Sequence, residues 1–68
     1  MYENSLFEVW EVCISNTVGV MAFFDIELAE QAKFDQEGEG NVVELRREDV
    51  YLTEYDLAEI EENGYVWL

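Results

Sequence analysis

Runs of β-branched and aromatic residues predict three strands in this chain. Residues 6–15 form the first such run, and residues 18–24 form a second one behind the polar turn signal of residues 15–17. Together they predict an N-terminal β-hairpin. Residues 41–47, in which apolar and polar side chains alternate, predict a third strand.

Two further segments carry the start and stop signals of helices. Asp25 stands at the N-cap position of a helix over residues 26–36, which ends in the glycine-containing run 37–40. A capping-box-like start at residues 53–56, with Asp in place of the usual Glu, opens a second helix over residues 54–62.

The predicted order of elements is ββαβα(β), in one domain over residues 1–68. The apolar tail of residues 65–68 either adds a fourth strand or folds back over the end of the second helix. The fold class is therefore α+β, with a three- to four-stranded antiparallel sheet and two helices on one face.

The hairpin is apolar on both faces, whereas a half-exposed antiparallel strand alternates apolar with polar residues. Apolar residues of the first strand fall on both of its faces. One face has Leu6, Trp10, Val12 and Ile14, and the other has Phe7, Val9 and Cys13. Two explanations stay open. Either loops and the tail wrap the second face, or that face is an interface with a partner or with a second copy in a homodimer.

Composition restricts the classes of function. The 68 residues include 17 Asp+Glu, 3 Lys+Arg and no His, which gives a formal net charge of −14. Half of the residues are hydrophobic and 15% are aromatic, so the chain is not a disordered acidic tail. Three cations cannot form a basic patch, so we expect no direct binding to nucleic acid and none to an anionic membrane.

Neither a structural crosslink nor a targeting segment is expected. Cys13 is the single cysteine, and without His a zinc site lacks its ligands. The longest apolar run, residues 18–24, is far shorter than the roughly 20 residues that span a bilayer. The first five residues carry no positive charge, so we expect no secretory signal and a cytoplasmic location, which is the host cytoplasm if a phage encodes the chain.

Enzymatic and metal-binding functions find little support. No His is present for general-base chemistry, and no glycine-rich loop precedes a helix to hold a phosphate. Residues 35–40 match the first half of an EF-hand loop, but the position of its bidentate Glu is occupied by Arg46. We therefore predict no catalytic residue, no metal and no cofactor.

Carboxylates share faces of the two predicted helices with two aromatic residues. Side chains at such helical spacings stand roughly 5–7 Å apart, and we interpret them as stand-ins for the closely spaced phosphates of a nucleic acid. An exposed aromatic side chain among carboxylates suits a partner surface rich in Arg. The predicted partner-binding residues are Glu27, Glu30, Phe34, Tyr55, Glu59 and Glu62.

In size and charge the chain resembles the heterogeneous group of phage and mobile-element inhibitors that mimic nucleic acid, which includes anti-CRISPR and anti-restriction proteins. The resemblance is one of composition and involves no particular motif. It implies a small inhibitor that blocks the basic groove of a nucleic-acid-binding host protein: a CRISPR effector, a restriction enzyme, a polymerase or a nucleoid protein.

Two alternatives remain from the sequence. The first is an immunity protein, antitoxin or adaptor that binds one protein through the apolar second face of the hairpin, with the charge steering association. The second is an ordinary domain whose acidic surface is an adaptation to high salt.

Overall fold

A computed structural model describes residues 5–68, in which the apolar runs of the sequence form strands. The N-terminal residues 1–4, on which the expectation about a secretory signal mainly depends, lie outside the described residues. The elements are β1 (Ser5–Ile14), β2 (Met21–Phe23), α1 (Ile26–Gly38), β3 (Val43–Leu52), α2 (Glu54–Asn63) and β4 (Tyr65–Trp67).

The four strands form one antiparallel sheet in the order β3-β1-β2-β4. β1 and β3 pair along their whole length, from Ser5 opposite Leu52 to Ile14 opposite Val43. β2 pairs only with the stretch from Trp10 to Val12 of β1. The sheet is therefore four strands wide at one end and a two-stranded ribbon at the other. The α+β class is confirmed, and of the two alternatives left open for the tail the structure shows the fourth strand.

The strand β2 is shorter than predicted because the connection before it leaves the extended conformation twice. Asn16 has φ 64° and Gly19 has φ 87°, both in the left-handed region. A Cβ on Gly19 would lie 2.4 Å from the carbonyl oxygen of Leu68, so only glycine fits this approach. Val20 and Leu68 exchange two backbone hydrogen bonds of 3.2 and 2.8 Å, which tie the loop to the end of β4.

Both helices begin where the sequence places their caps. The carboxylate of Asp25 accepts a hydrogen bond from the backbone N–H of Glu27. In α2 the capping box is reciprocal: the Thr53 hydroxyl accepts from the Asp56 N–H, and the Asp56 carboxylate accepts from the Thr53 N–H. Gly64 ends α2 in the left-handed conformation.

The helices pack on opposite faces of the sheet, which corrects the prediction that both cover one face. Odd and even residues of β1 point to opposite faces, and each set belongs to its own apolar cluster. The first cluster holds α2 through Ile60 and Leu57; its strand residues are Phe7, Val9, Ala22, Val50, Leu52 and Val66. The second holds α1 through Ala29 and Ala32; its strand residues are Trp10, Val12, Ile14, Met21, Phe23, Val43, Leu45 and Tyr65.

This arrangement explains why both faces of the hairpin are apolar. Val9 and Ala22 are buried on the α2 side, and Val12, Met21 and Phe23 are buried on the α1 side. Each helix covers one face, so most of the apolar residues that suggested a homodimer or adaptor interface are packed within the chain, while Leu6 stays 56% exposed. Oligomeric state itself stays a prediction.

Within residues 5–68, neither helix has the length and apolar character needed to cross a membrane.

Candidate functional site

All six predicted partner-binding residues are exposed side chains on the two helices. Phe34 is 73% exposed and Tyr55 is 81% exposed, although both are large apolar side chains. Ala29 and Ala32 turn toward the sheet, which leaves Glu27 and Phe34 on the outer side of α1. In α2, Ile60 turns inward in the same way and leaves the predicted residues outside.

The six residues form two groups that the fold keeps apart. Glu27, Glu30 and Phe34 project from the helix on one face of the sheet, and Tyr55, Glu59 and Glu62 project from the helix on the other. The two acidic faces therefore point away from each other. The sequence alone could not show this, because helical spacing places residues on a helix face but does not orient one helix against another.

One carboxylate of the α2 group is held in place by a neighbour. The side-chain amide of Asn63 donates a hydrogen bond of 2.8 Å to Glu59, one turn earlier in the helix. In α1 the amide of Gln31 donates in the same way to Asp35, at 3.1 Å. These neutral donors orient the carboxylates without cancelling their charge.

Each of the three cations is paired within the chain. Lys33 contacts Glu37 at 2.9 Å along α1, Arg46 contacts Glu11 at 3.4 Å, and Arg47 contacts Glu8 across the β1–β3 ribbon. The guanidinium of Arg47 also lies 5.1 Å from the ring centroid of Trp10. No cation of residues 5–68 is left over to neutralise the helix faces or to form a basic patch.

The remaining negative charge is spread along an elongated body. Glu3 lies outside the described residues, which hold sixteen carboxylates and three cations and so carry a net charge of −13. The longest dimension is 43 Å, against 20 and 17 Å in the other two directions. The body thus carries one net negative charge for about every 3.3 Å of its length, close to the roughly 3.4 Å per charge of one strand of duplex DNA.

Three exposed aromatic side chains of residues 5–68 are not among the predicted partner-binding residues: Phe24, Tyr51 and Trp67. Tyr51 is 68% exposed and lies opposite Leu6 on the ribbon end that α1 does not cover. Trp67 is about half exposed because β4 is an edge strand. Trp10 packs partly buried against the α1 cluster. The sequence would have placed Tyr51 on the sheet only if the predicted third strand had continued past residue 47, through the charged middle of β3.

A second polar arrangement lies on the α2 face of the sheet, beyond the reach of that helix. Arg46 donates hydrogen bonds to the buried carboxylate of Glu11 and, at 3.1 Å, to the sulfur of Cys13. The hydrogen bond with Cys13 and the electrostatic attraction of that side chain raise the pKa of Arg46. The arrangement fixes a charge on the sheet and presents no nucleophile–base pair.

Comparison of the chain with protein-family models, with curated proteins and with solved structures finds no match.

Proposed function

We propose that this chain is a small non-enzymatic inhibitor, encoded by a phage or mobile element, that mimics a nucleic acid and blocks the basic DNA- or RNA-binding groove of a host protein. The classes of target with such a groove are CRISPR effectors, restriction enzymes, polymerases and nucleoid proteins. The site of action is the cytoplasm of the host cell.

The observation that supports this proposal is the high density of uncompensated charge, averaged over the length of an elongated body. Thirteen carboxylates of residues 5–68 have no cation partner, because each of the three cations pairs with one other carboxylate of the chain. An acidic surface needed only for solubility mixes both signs of charge. A surface of one sign attracts and orients a partner of the opposite sign.

The opposite orientation of the two acidic helix faces restricts the shape of the proposed target. A flat basic surface could touch the acidic outer face of α1 or that of α2, but not both outer faces, because the helices lie on opposite sides of the sheet. A groove or channel that surrounds a nucleic acid could contact both. We therefore expect the target to enclose its ligand rather than bind it on an open surface.

Capture and competition test the proposal. The chain, immobilised through its C-terminus, is incubated with host lysate at low salt, and the captured protein is challenged with its own DNA or RNA. We expect a nucleic-acid-binding protein that the nucleic acid elutes. Capture of a partner without nucleic-acid function would argue against mimicry.

Charge reversal on each helix tests the predicted residues. Glu59→Lys or Glu62→Lys alone should cost about 1 kcal/mol of binding, because exposed pairs are individually weak. Glu27→Lys/Glu30→Lys and Glu59→Lys/Glu62→Lys should each weaken binding, and the four reversals together should abolish it. Circular dichroism of each variant checks the fold. A quadruple variant that binds at full strength would contradict the proposal.

The aromatic residues are tested separately by truncation. Phe34→Ala and Tyr55→Ala should raise the dissociation rate and leave the association rate unchanged, since anchors act after the electrostatic encounter. Stopped-flow binding to the captured partner at two salt concentrations measures both rates. Unchanged dissociation in both variants would remove these two residues from the site.

A further inference from the structure

An apolar groove lies where the two helices approach each other beyond the ends of the short strands. Phe24 and Leu28 form one wall, from the start of α1, and Leu57 and Ile60 of α2 form the other. Gly64 also lines the groove, and a Cβ on this glycine would lie 3.2 Å from a methyl of Leu28. The groove has a volume of about 450 Å³, within the range of ligand-binding clefts.

The groove combines exposed apolar walls with a charged rim. Phe24 is 44% exposed and Leu28 is 46% exposed, while Ile60, which also lines the groove, is buried. The carboxylates of Asp25 and Glu61 stand at the rim. One oxygen of Asp25 accepts the cap hydrogen bond from Glu27, and the other oxygen is not used by that bond.

We propose that this groove receives one aromatic or large aliphatic side chain of the partner, flanked in the partner by arginine or lysine. The apolar side chain fills the space between Leu28 and Ile60, and its cationic neighbours pair with Asp25 and Glu61. A central apolar anchor surrounded by polar contacts is the usual arrangement of a binding hot spot. The groove proposal adds a specific contact to the proposed function and depends on that function only for the basic character of the partner.

Charge complementarity selects such a partner over a second copy of this chain. A second copy brings its own net charge of −13 over residues 5–68 toward the acidic rim, whichever of its exposed apolar side chains it inserts. Two of these side chains also lie beside carboxylates: Tyr55 stands between Glu54 and Asp56, and Phe34 precedes Asp35. Insertion of either would bring acid against the acidic rim. A cation-flanked side chain meets opposite charge instead.

Peptide titration followed by NMR tests the groove directly, without the natural partner. The main probe is a blocked pentapeptide of two arginines, tryptophan and two arginines. One control replaces its tryptophan with glycine, and another replaces its arginines with glutamates. We expect contacts from the indole to the methyl groups of Leu28 and Ile60, with binding about tenfold weaker for each control peptide.

Matched variants separate the groove from general attraction. Leu28→Ser and Glu61→Lys should each weaken binding of the tryptophan peptide, whereas Val42→Ser, at an exposed position outside the groove, should not. Equal binding of the tryptophan and glycine peptides, or indole contacts at Phe34 or Tyr55 instead, would overturn the groove proposal. Equal binding of the acidic peptide would overturn the role of the rim.

The two proposals fail in different ways. If the groove proposal is wrong, the chain and the nucleic acid still compete for the captured nucleic-acid-binding partner, and Leu28→Ser leaves the affinity of the chain for that partner unchanged. If mimicry is wrong, the tryptophan peptide still binds in the groove, and the captured partner holds its nucleic acid and the chain together.

Discussion

Glu11 is the carboxylate of residues 5–68 that the fold buries, with only 8% of its surface exposed. It lies on the α2 face of β1, opposite Ala22 on one side and Arg46 on the other. A buried charge is tolerated only when it is paired, so Arg46 is required at this position. Arg47, its neighbour on the opposite face, pairs with the exposed Glu8 and therefore does not compensate a buried charge.

Removing each arginine in turn tests this difference. Arg46→Met should lower the free energy of unfolding by about 1–3 kcal/mol, the cost of leaving the buried Glu11 without its partner. Arg47→Met is the matched control and should cost less, because Glu8 stays solvated. Urea denaturation measures both. Adding Glu11→Gln to Arg46→Met should restore part of the loss, and a loss from Arg47→Met as large as that from Arg46→Met would contradict the account.

At the scale of elements, local signals predicted the helices well and the strands less well. The starts of both helices match the caps at Asp25 and Thr53, because capping involves only neighbouring residues. β3 runs five residues past its predicted end at residue 47, since pairing with β1 keeps the charged middle of the strand extended. Local propensity is overridden there by a long-range partner.

The packing of the helices and the groove between them could not be predicted. Period-two alternation shows that β1 has two apolar faces, but it does not say which helix covers which face. The groove joins Phe24 and Leu28 to Leu57 and Glu61, which are far apart in the sequence. The exposure of Phe34 and Tyr55 was predictable, because it follows from helical spacing alone.

The capping box of α2 gives a test at this scale. Thr53→Ala removes the hydroxyl that accepts the N–H of Asp56 and should cost about 1 kcal/mol of stability. Thr17→Ala, at an exposed loop position, is the control and should change little. Thermal unfolding by circular dichroism measures both. Equal melting temperatures for the two variants would show that α2 is held by packing alone.

At the scale of the whole molecule, uncompensated charge opposes the compact state. Thirteen net negative charges on residues 5–68 repel one another, and the two apolar clusters that oppose this repulsion are small. At 0.1 M ionic strength, exposed charges more than about 10 Å apart are largely screened, so added salt removes much of the repulsion along the 43 Å body. Stability should therefore depend on salt more than in a domain of mixed charge.

The melting temperature should rise between low salt and half-molar sodium chloride. Replacing four carboxylates by amides, with Glu→Gln at residues 27, 30, 59 and 62, should raise the melting temperature at low salt and reduce its salt dependence. Calorimetry of both proteins across the same salt series measures this. A melting temperature independent of salt in the parent chain would mean that the charges are compensated individually.

Mutual exclusion is the most direct test of mimicry. A fluorescently labelled DNA or RNA is bound to the captured partner, the chain is added in increasing amounts, and polarisation and sedimentation are recorded on the same samples. Mimicry predicts complete release of the nucleic acid, at chain concentrations set by the chain's own Kd for the partner, with no species containing all three components. A stable ternary complex of partner, chain and nucleic acid would contradict it.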